Sequence, residues 1–269
     1  MTQEKTTFTI KEDGSDGDFN MVKASAQKYY ENGINTLALG YFNVPDAPDS
    51  LNRVPIDYVE NAAKYLKSIG YEKIGIWGIS MGSLYVLLSA CYYPDLISLV
   101  VAASPNYFVV QAMNKSKSKL LPASAFSYKG EDIPYEPYTV HMSMFKNLFE
   151  SVKNLEPNFS YLYTDLMGKV KEEHIILVEK MKAHLILFSG KLDNLWPSLE
   201  GGNLIIQRLK DKNYAYPYEH IVCEYGGHLM VPFTSKLDKF MKANRKYPEK
   251  TEEYRQEHLN KIIETYRNW

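Results

Sequence analysis

The sequence predicts an α/β fold, with a mostly parallel, doubly wound sheet, helices on both faces and one long insertion. Three observations lead there. Short apolar runs alternate with stretches of helical spacing up to residue 105 and again from residue 184. One such run, from Lys73 to Gly78, enters Gly78-Ile79-Ser80-Met81-Gly82 and continues directly into the apolar stretch Leu84 to Ala90. That is the order strand, tight turn, helix. Between the two rhythmic parts, residues 106–183 follow neither period, and so long a connection between strands is usually functional.

In chain order, Phe8-Thr9-Ile10 is the first short strand, followed by a small polar loop containing Gly14 and Gly17. Val22, Ala26, Tyr29 and Tyr30 recur at helical spacing until Asn32-Gly33 stops the helix. A strand over Thr36 to Phe42 precedes a proline-containing loop over 43–52. Val59, Ala62, Ala63, Leu66 and Ile69 mark an amphipathic helix closed by Gly70, with Pro55 near its start. After the strand leading to Ser80 comes a helix over 83–93, broken by Pro94. A buried-type strand then spans Ile97 to Ser104. The insertion is expected to be a lid, with helical pieces over Met142–Leu155 and Tyr161–Val178. The rhythm resumes with a strand from His184 to Gly190, a helix from Leu199 to Leu209 and a strand from Tyr218 to Tyr225. The remainder is charged and helical, with Leu259, Ile262, Ile263 and Tyr266 forming an apolar face expected to pack on its own domain. One domain over 1–269 is expected, with the lid at about 106–183.

Composition narrows the function classes. A net charge of −1 gives no reason to expect a nucleic-acid or anionic-membrane partner. No run approaches the roughly 18 apolar residues of a membrane span, and the N-terminal residues lack the apolar core of a secretory signal. Cys91 and Cys223 fall in apolar runs and read as buried free thiols, which fits a reducing compartment. A cytoplasmic protein is expected. The 22 tyrosines suit a half-wet pocket wall, although ordinary packing accounts for most of them.

The Gly-x-Ser-x-Gly turn supplies the chemistry. A nucleophile on a sharp strand-to-helix turn needs small neighbours, and the N–H of the next residue, Met81, is placed to donate to a developing oxyanion. Serine is a weak nucleophile at neutral pH, so it requires a base, and the base requires an orienting carboxylate. Asp193 and His228 each follow an expected strand, giving the order nucleophile, acid, histidine of an α/β-hydrolase. Among the six histidines, only His228 lies just beyond a strand in a glycine-hinged loop; Asp165 is the fallback acid. Ser83 and Ser104 lie near the turn but lack its geometry and read as structural. The second oxyanion donor is expected from the first strand-to-helix loop, at the N–H of Ser15 or Asp16. Asp13, Asp16 and Asp18 have no further spaced ligands, so no metal is expected. No zinc-type spacing or dinucleotide-binding glycine motif occurs, and no cofactor is expected.

Several linked motifs resemble one known family. They are Gly14-Ser15-Asp16-Gly17, Leu39-Gly40-Tyr41-Phe42-Asn43, the segment Gly75 to Gly82, and Tyr128-Lys129-Gly130-Glu131. Leu187 to Trp196 and Gly226-Gly227-His228 with Pro232-Phe233 complete the set. From about Thr7 to the last helix, the chain resembles the C-terminal α/β-hydrolase domain of the acyl-CoA thioesterase and bile acid-CoA:amino acid N-acyltransferase family. The resemblance implies a Ser80–Asp193–His228 triad and acyl transfer from a thioester to water. It also implies an N-terminal β-sandwich domain, and this chain is expected to stand without one. Conjugating members resemble it but carry cysteine as nucleophile, so Ser80 favours hydrolysis over transfer to an amine. Three readings remain open: an acyl-CoA thioesterase-like hydrolase, a small-molecule carboxylesterase, and a non-catalytic binding module with the same fold. Lys115, Lys117 and Lys119 read either as contacts for coenzyme A phosphates or as a solvated lid surface. Sequence alone leaves acyl length and oligomeric state open.

Overall fold

The structure is a computed structural model, which describes residues 6–9, 19–114, 120–138, 144–164 and 166–269. Its elements run β1 (Thr6–Thr9), α1 (Phe19–Glu31), β2 (Asn35–Ala38), β3 (Val54–Pro55), α2 (Asp57–Ser68), β4 (Ile74–Ile79), α3 (Met81–Tyr92) and β5 (Leu99–Ala103). There follow β6 (Gln111–Met113), β7 (Leu120–Ser124), β8 (Phe126–Tyr128), β9 (Glu131–Asp132), α4 (Met144–Asn154) and α5 (Tyr161–Thr164). The last elements are β10 (His184–Gly190), α6 (Ser198–Asp211), β11 (Tyr218–Cys223), α7 (Lys242–Lys246) and α8 (Pro248–Asn268).

Six strands form the main sheet in the order β11-β10-β5-β4-β1-β2, and every pairing is parallel. This is the α/β-hydrolase fold. All six residues of β4 are buried, as are all five of β5, because helices cover both faces. The period of two nevertheless sorts their side chains. Ile74, Ile76, Val100, Ala102, Leu185 and Leu187 face the core shared with α2 and α3. Trp77, Ile79, Leu99, Val101, Ile186 and Phe188 face the core shared with Tyr29 of α1 and with Leu259 and Ile262 of α8. The charged C-terminal helix therefore packs on its own sheet, as its apolar face implied.

The structure corrects the reading of the insertion. Among its described residues lie four short strands. β6 and β7 form an antiparallel pair, while β8 pairs antiparallel with β9 and parallel with β3. Lys129 and Gly130, at φ 50° and 84°, form the two-residue hairpin turn between β8 and β9. Among the described residues of the expected second helix, only Tyr161–Thr164 is α-helical, with a single 3-10 turn at Glu172–His174 and another beginning at Val178. Beyond Thr164, Gly168 takes φ 74°, and Ile175 and Ile176 go to backbone pairing instead. Phe108 bridges Ile175, and Ile176 N–H donates to the Tyr107 carbonyl at 2.9 Å. Helical spacing in sequence here coincides with extended chain held by long-range partners. Pro55 lies in β3, two residues ahead of α2.

Candidate active site

Ser80 sits at the carboxyl end of β4, where such sheets place their sites. It has φ 59° and ψ −125°, a conformation L-residues rarely adopt. Its N–H donates to the Ala103 carbonyl at 2.9 Å and its carbonyl accepts from Ser83 Oγ, so both sides of the turn are fixed. Gly78 makes the turn possible: a Cβ there would lie 2.2 Å from the Gly82 carbonyl oxygen. Met81 begins α3, and its N–H is among the first-turn amides without an intrahelical acceptor.

His228 is brought over the serine by contact between two loops. A Cβ at Gly190, the last residue of β10, would lie 2.2 Å from the Gly227 oxygen, so only glycine lets the chains touch. The Leu192 N–H donates to the Gly226 carbonyl at 2.8 Å and ties the loop after β10 to the histidine loop. Asp193 then faces His228, with its Oδ2 and Oδ1 lying 2.8 and 3.0 Å from Nδ1. On the other side of the ring, Nε2 is 2.8 Å from Ser80 Oγ. A carboxylate only accepts, so Nδ1 carries the ring proton and the Ser80 hydroxyl donates to Nε2. The side chains of His228 and Asp193 are 5% and 2% exposed, which keeps water from competing for these bonds. The Leu195 and Trp196 N–H groups also donate to Asp193 Oδ1, closing a turn about the acid.

The structure thus brings together Ser80, Asp193, His228 and the Met81 N–H. Ser15, Asp16, Lys115, Lys117, Lys119 and the fallback Asp165 lie outside the described residues. Asp132 instead pairs with Arg53. His174 bonds Glu136, and His220 bonds Ser189 Oγ while burial lowers its pKa to about 4. His258 belongs to the buried interior of the charged tail: it is 1% exposed, stacks on Phe188 and accepts from Trp77 Nε1 at 3.1 Å. Burial lowers its pKa to about 3.

Two supports have partners that the sequence did not point to. Ser104 Oγ donates to the His228 carbonyl at 2.6 Å, and Ser104 itself has φ 46°. Trp196 Nε1 donates to the Ser104 carbonyl at 3.0 Å, and its ring meets His228 edge-on with centroids 5.7 Å apart. A serine directly after a buried strand was the only signal for the first. Cys91 and Cys223 are buried free thiols whose pKa values burial raises, to about 12 for Cys223. Among the described residues no group of three or more His, Cys, Asp or Glu converges on a metal position. Nor is any helix there long and apolar enough to cross a membrane.

Known proteins agree with this architecture. The chain is 27% identical over 216 residues to acyl-coenzyme A thioesterase 1 of Mus musculus, covering 74% of this chain and 46% of that protein. Peroxisomal succinyl-coenzyme A thioesterase of Mus musculus is 24% identical over 169 residues, or 62% of this chain and 36% of that protein. Acyl-coenzyme A amino acid N-acyltransferase 2 of Mus musculus is 25% identical over 222 residues, or 79% and 46%. The chain therefore spans less than half the length of these relatives. Among solved structures, an esterase of Pyrococcus furiosus superposes with a TM-score of 0.54 at 16% identity, covering 99% of this chain and 84% of that one. The likeness is one of fold. The family described as BAAT / acyl-CoA thioester hydrolase C terminal matches residues 54–241, most of the chain, and the chain belongs to that family.

Proposed function

We propose that this chain is a serine hydrolase that cleaves an acyl thioester or ester through a covalent acyl-enzyme. The observation that carries the reading is the continuous Ser80–His228–Asp193 hydrogen-bond chain at the carboxyl ends of β4, β10 and β11. Ser80 Oγ bonds to the acyl carbon as its proton passes to His228 Nε2. Asp193 holds the imidazole in the required tautomer and stabilises its positive charge. The Met81 N–H, with a donor from the Ser15–Asp16 loop, receives the oxyanion. Collapse of the tetrahedral intermediate breaks the bond to sulfur or oxygen, and the His228 proton leaves with the thiol or alcohol. Water, deprotonated by His228, then attacks the acyl-serine and releases the acid. Residues of about 106–183 serve as the cap: Tyr163 packs edge-on against Trp196, which in turn meets His228.

Serine at position 80 favours water over an amine as the acceptor, because an oxygen ester is less readily aminolysed than a thioester. Family membership makes acyl-CoA the first substrate to test. Wild type and Ser80→Ala are compared on acyl-CoA and p-nitrophenyl esters of matched chain length. The Ser80→Ala variant is expected to lose about 10³-fold or more in kcat on either substrate. Preference for the CoA ester supports the thioesterase reading, and preference for the p-nitrophenyl ester supports a carboxylesterase. A Ser80→Ala variant with full activity contradicts the nucleophile. Acyl-glycine as the main product when glycine is supplied contradicts hydrolysis as the reaction.

A further inference from the structure

Glu156, two residues beyond the end of α4, is a buried carboxylate with no part in the chemistry above. It is 3% exposed, and among the described residues it makes no ion pair. Burying a carboxylate is costly unless hydrogen bonds replace water. Here both oxygens are used. Oε1 accepts from the Lys242 N–H at 2.8 Å, and Oε2 accepts from Asn194 Nδ2 at 2.5 Å. Asn194 directly follows Asp193. The neighbouring chain is pinned as well: Arg245 donates to the Asn154 and Leu155 carbonyls, and Lys242 Nζ donates to Asn154 Oδ1 at 2.7 Å. Two donors converge from opposite sides, so the position requires two acceptors. A carboxylate provides them; an amide provides one acceptor and one donor.

We propose that Glu156 is a positioning residue that holds the Asp193–Asn194 loop so that the acid faces His228. The insertion thereby completes the site as well as covering it. This inference rests on the triad reading. The loop after β10 is held to the end of β11 by the Lys191 N–H and to the histidine loop by the Leu192 N–H, but beyond Asp193 the insertion also holds it, through Glu156 at Asn194 and Tyr163 at Trp196.

The test measures saturable labelling of Ser80 by a fluorophosphonate in the full chain, separating the maximal rate from the half-saturating concentration. Glu156→Gln and Asn194→Ala are each expected to lower the maximal rate about 10- to 100-fold, with half-saturation within about twofold. The double variant Glu156→Gln/Asn194→Asp reverses the polarity of the bond, letting the glutamine amide donate to the new carboxylate, and is expected to regain most of the rate. A general loss of packing would not be repaired by that exchange. If Glu156→Gln fails to fold, Asn194→Ala, which leaves the carboxylate bonded to Lys242, decides the matter alone. Unchanged rates in the single variants, or a double variant no faster than Glu156→Gln, overturn the role of Glu156 while the triad reading stands. A wild-type chain that is not labelled at Ser80 overturns both.

Discussion

Ser80 and Asp193 are held in place by different means. The serine turn is local and made of backbone: Gly78 against Gly82, the Ser80 N–H on Ala103, and a strained φ of 59° paid for by the buried strand and helix on either side. The acid loop is held by side chains that arrive from far along the chain. Glu156 and Tyr163 come from the insertion, and Trp196 reaches across to Ser104. The first arrangement is part of folding itself; the second can be loosened while the fold survives. Changes at the turn should therefore cost stability and activity together, whereas changes around the acid should cost mainly activity.

The largest expected effect breaks the turn. Gly78→Ala forces a Cβ into the Gly82 backbone and should destabilise by on the order of 3 kcal/mol or more, read from urea unfolding midpoints. Its activity should fall in parallel. A near-neutral Gly78→Ala would mean the turn is not as close as the structure has it. Next is Trp196→Phe, which keeps a ring beside His228 but removes the donor to Ser104. A loss of about 10-fold in kcat with at most about 1.5 kcal/mol in stability is expected. Equal losses of both kinds would erase the contrast between the two regions. Ser104→Ala frees the His228 carbonyl from one donor, though the Met230 N–H still bonds it, so only a few-fold drop in kcat is expected.

A separate expectation concerns stability against pH. His258 is neutral in the fold with its pKa lowered from 6.5 to about 3, and His220 likewise to about 4. Between those values and 6.5 the unfolded chain binds more protons than the folded one, so stability is full above 6.5 and declines as pH falls. A urea-unfolding series from pH 7 to 4 should show that slope, and it should be shallower in His258→Gln, which retains an acceptor for Trp77 Nε1. An unchanged slope would remove His258 as a source of acid lability.

The same division explains what the sequence disclosed. Strands buried on both faces leave continuous apolar runs, and His184–Gly190 was readable to the residue. The turn at Ser80 combines glycine spacing with a strand and a helix, all within one short window. Asp193 was singled out because it follows β10 closely, and His228 because it lies in the glycine-hinged loop after β11. By contrast, β6 to β9 have two to five residues each and no measurable period. The stretch Ile175 to Val178 has helical spacing yet is recruited by Tyr107 and Phe108 more than sixty residues earlier, through pairing that no local pattern records. Glu156 was invisible for the same reason, and Ser104, read as structural, gave no hint of its partner: both bond residues distant in sequence. His258 read as one charge among many in the tail, although the sheet buries it.

The central claim is that Ser80 is the nucleophile and that His228 and Asp193 activate it. Peptide mapping by mass spectrometry after fluorophosphonate treatment tests this most directly, applied to wild type, Ser80→Ala and His228→Ala. The account predicts one adduct in the wild type, on the peptide containing Ser80, none in Ser80→Ala, and labelling slowed by about 10³-fold or more in His228→Ala. A wild-type chain that takes up no label, or a Ser80→Ala chain labelled as fast as wild type, would contradict it.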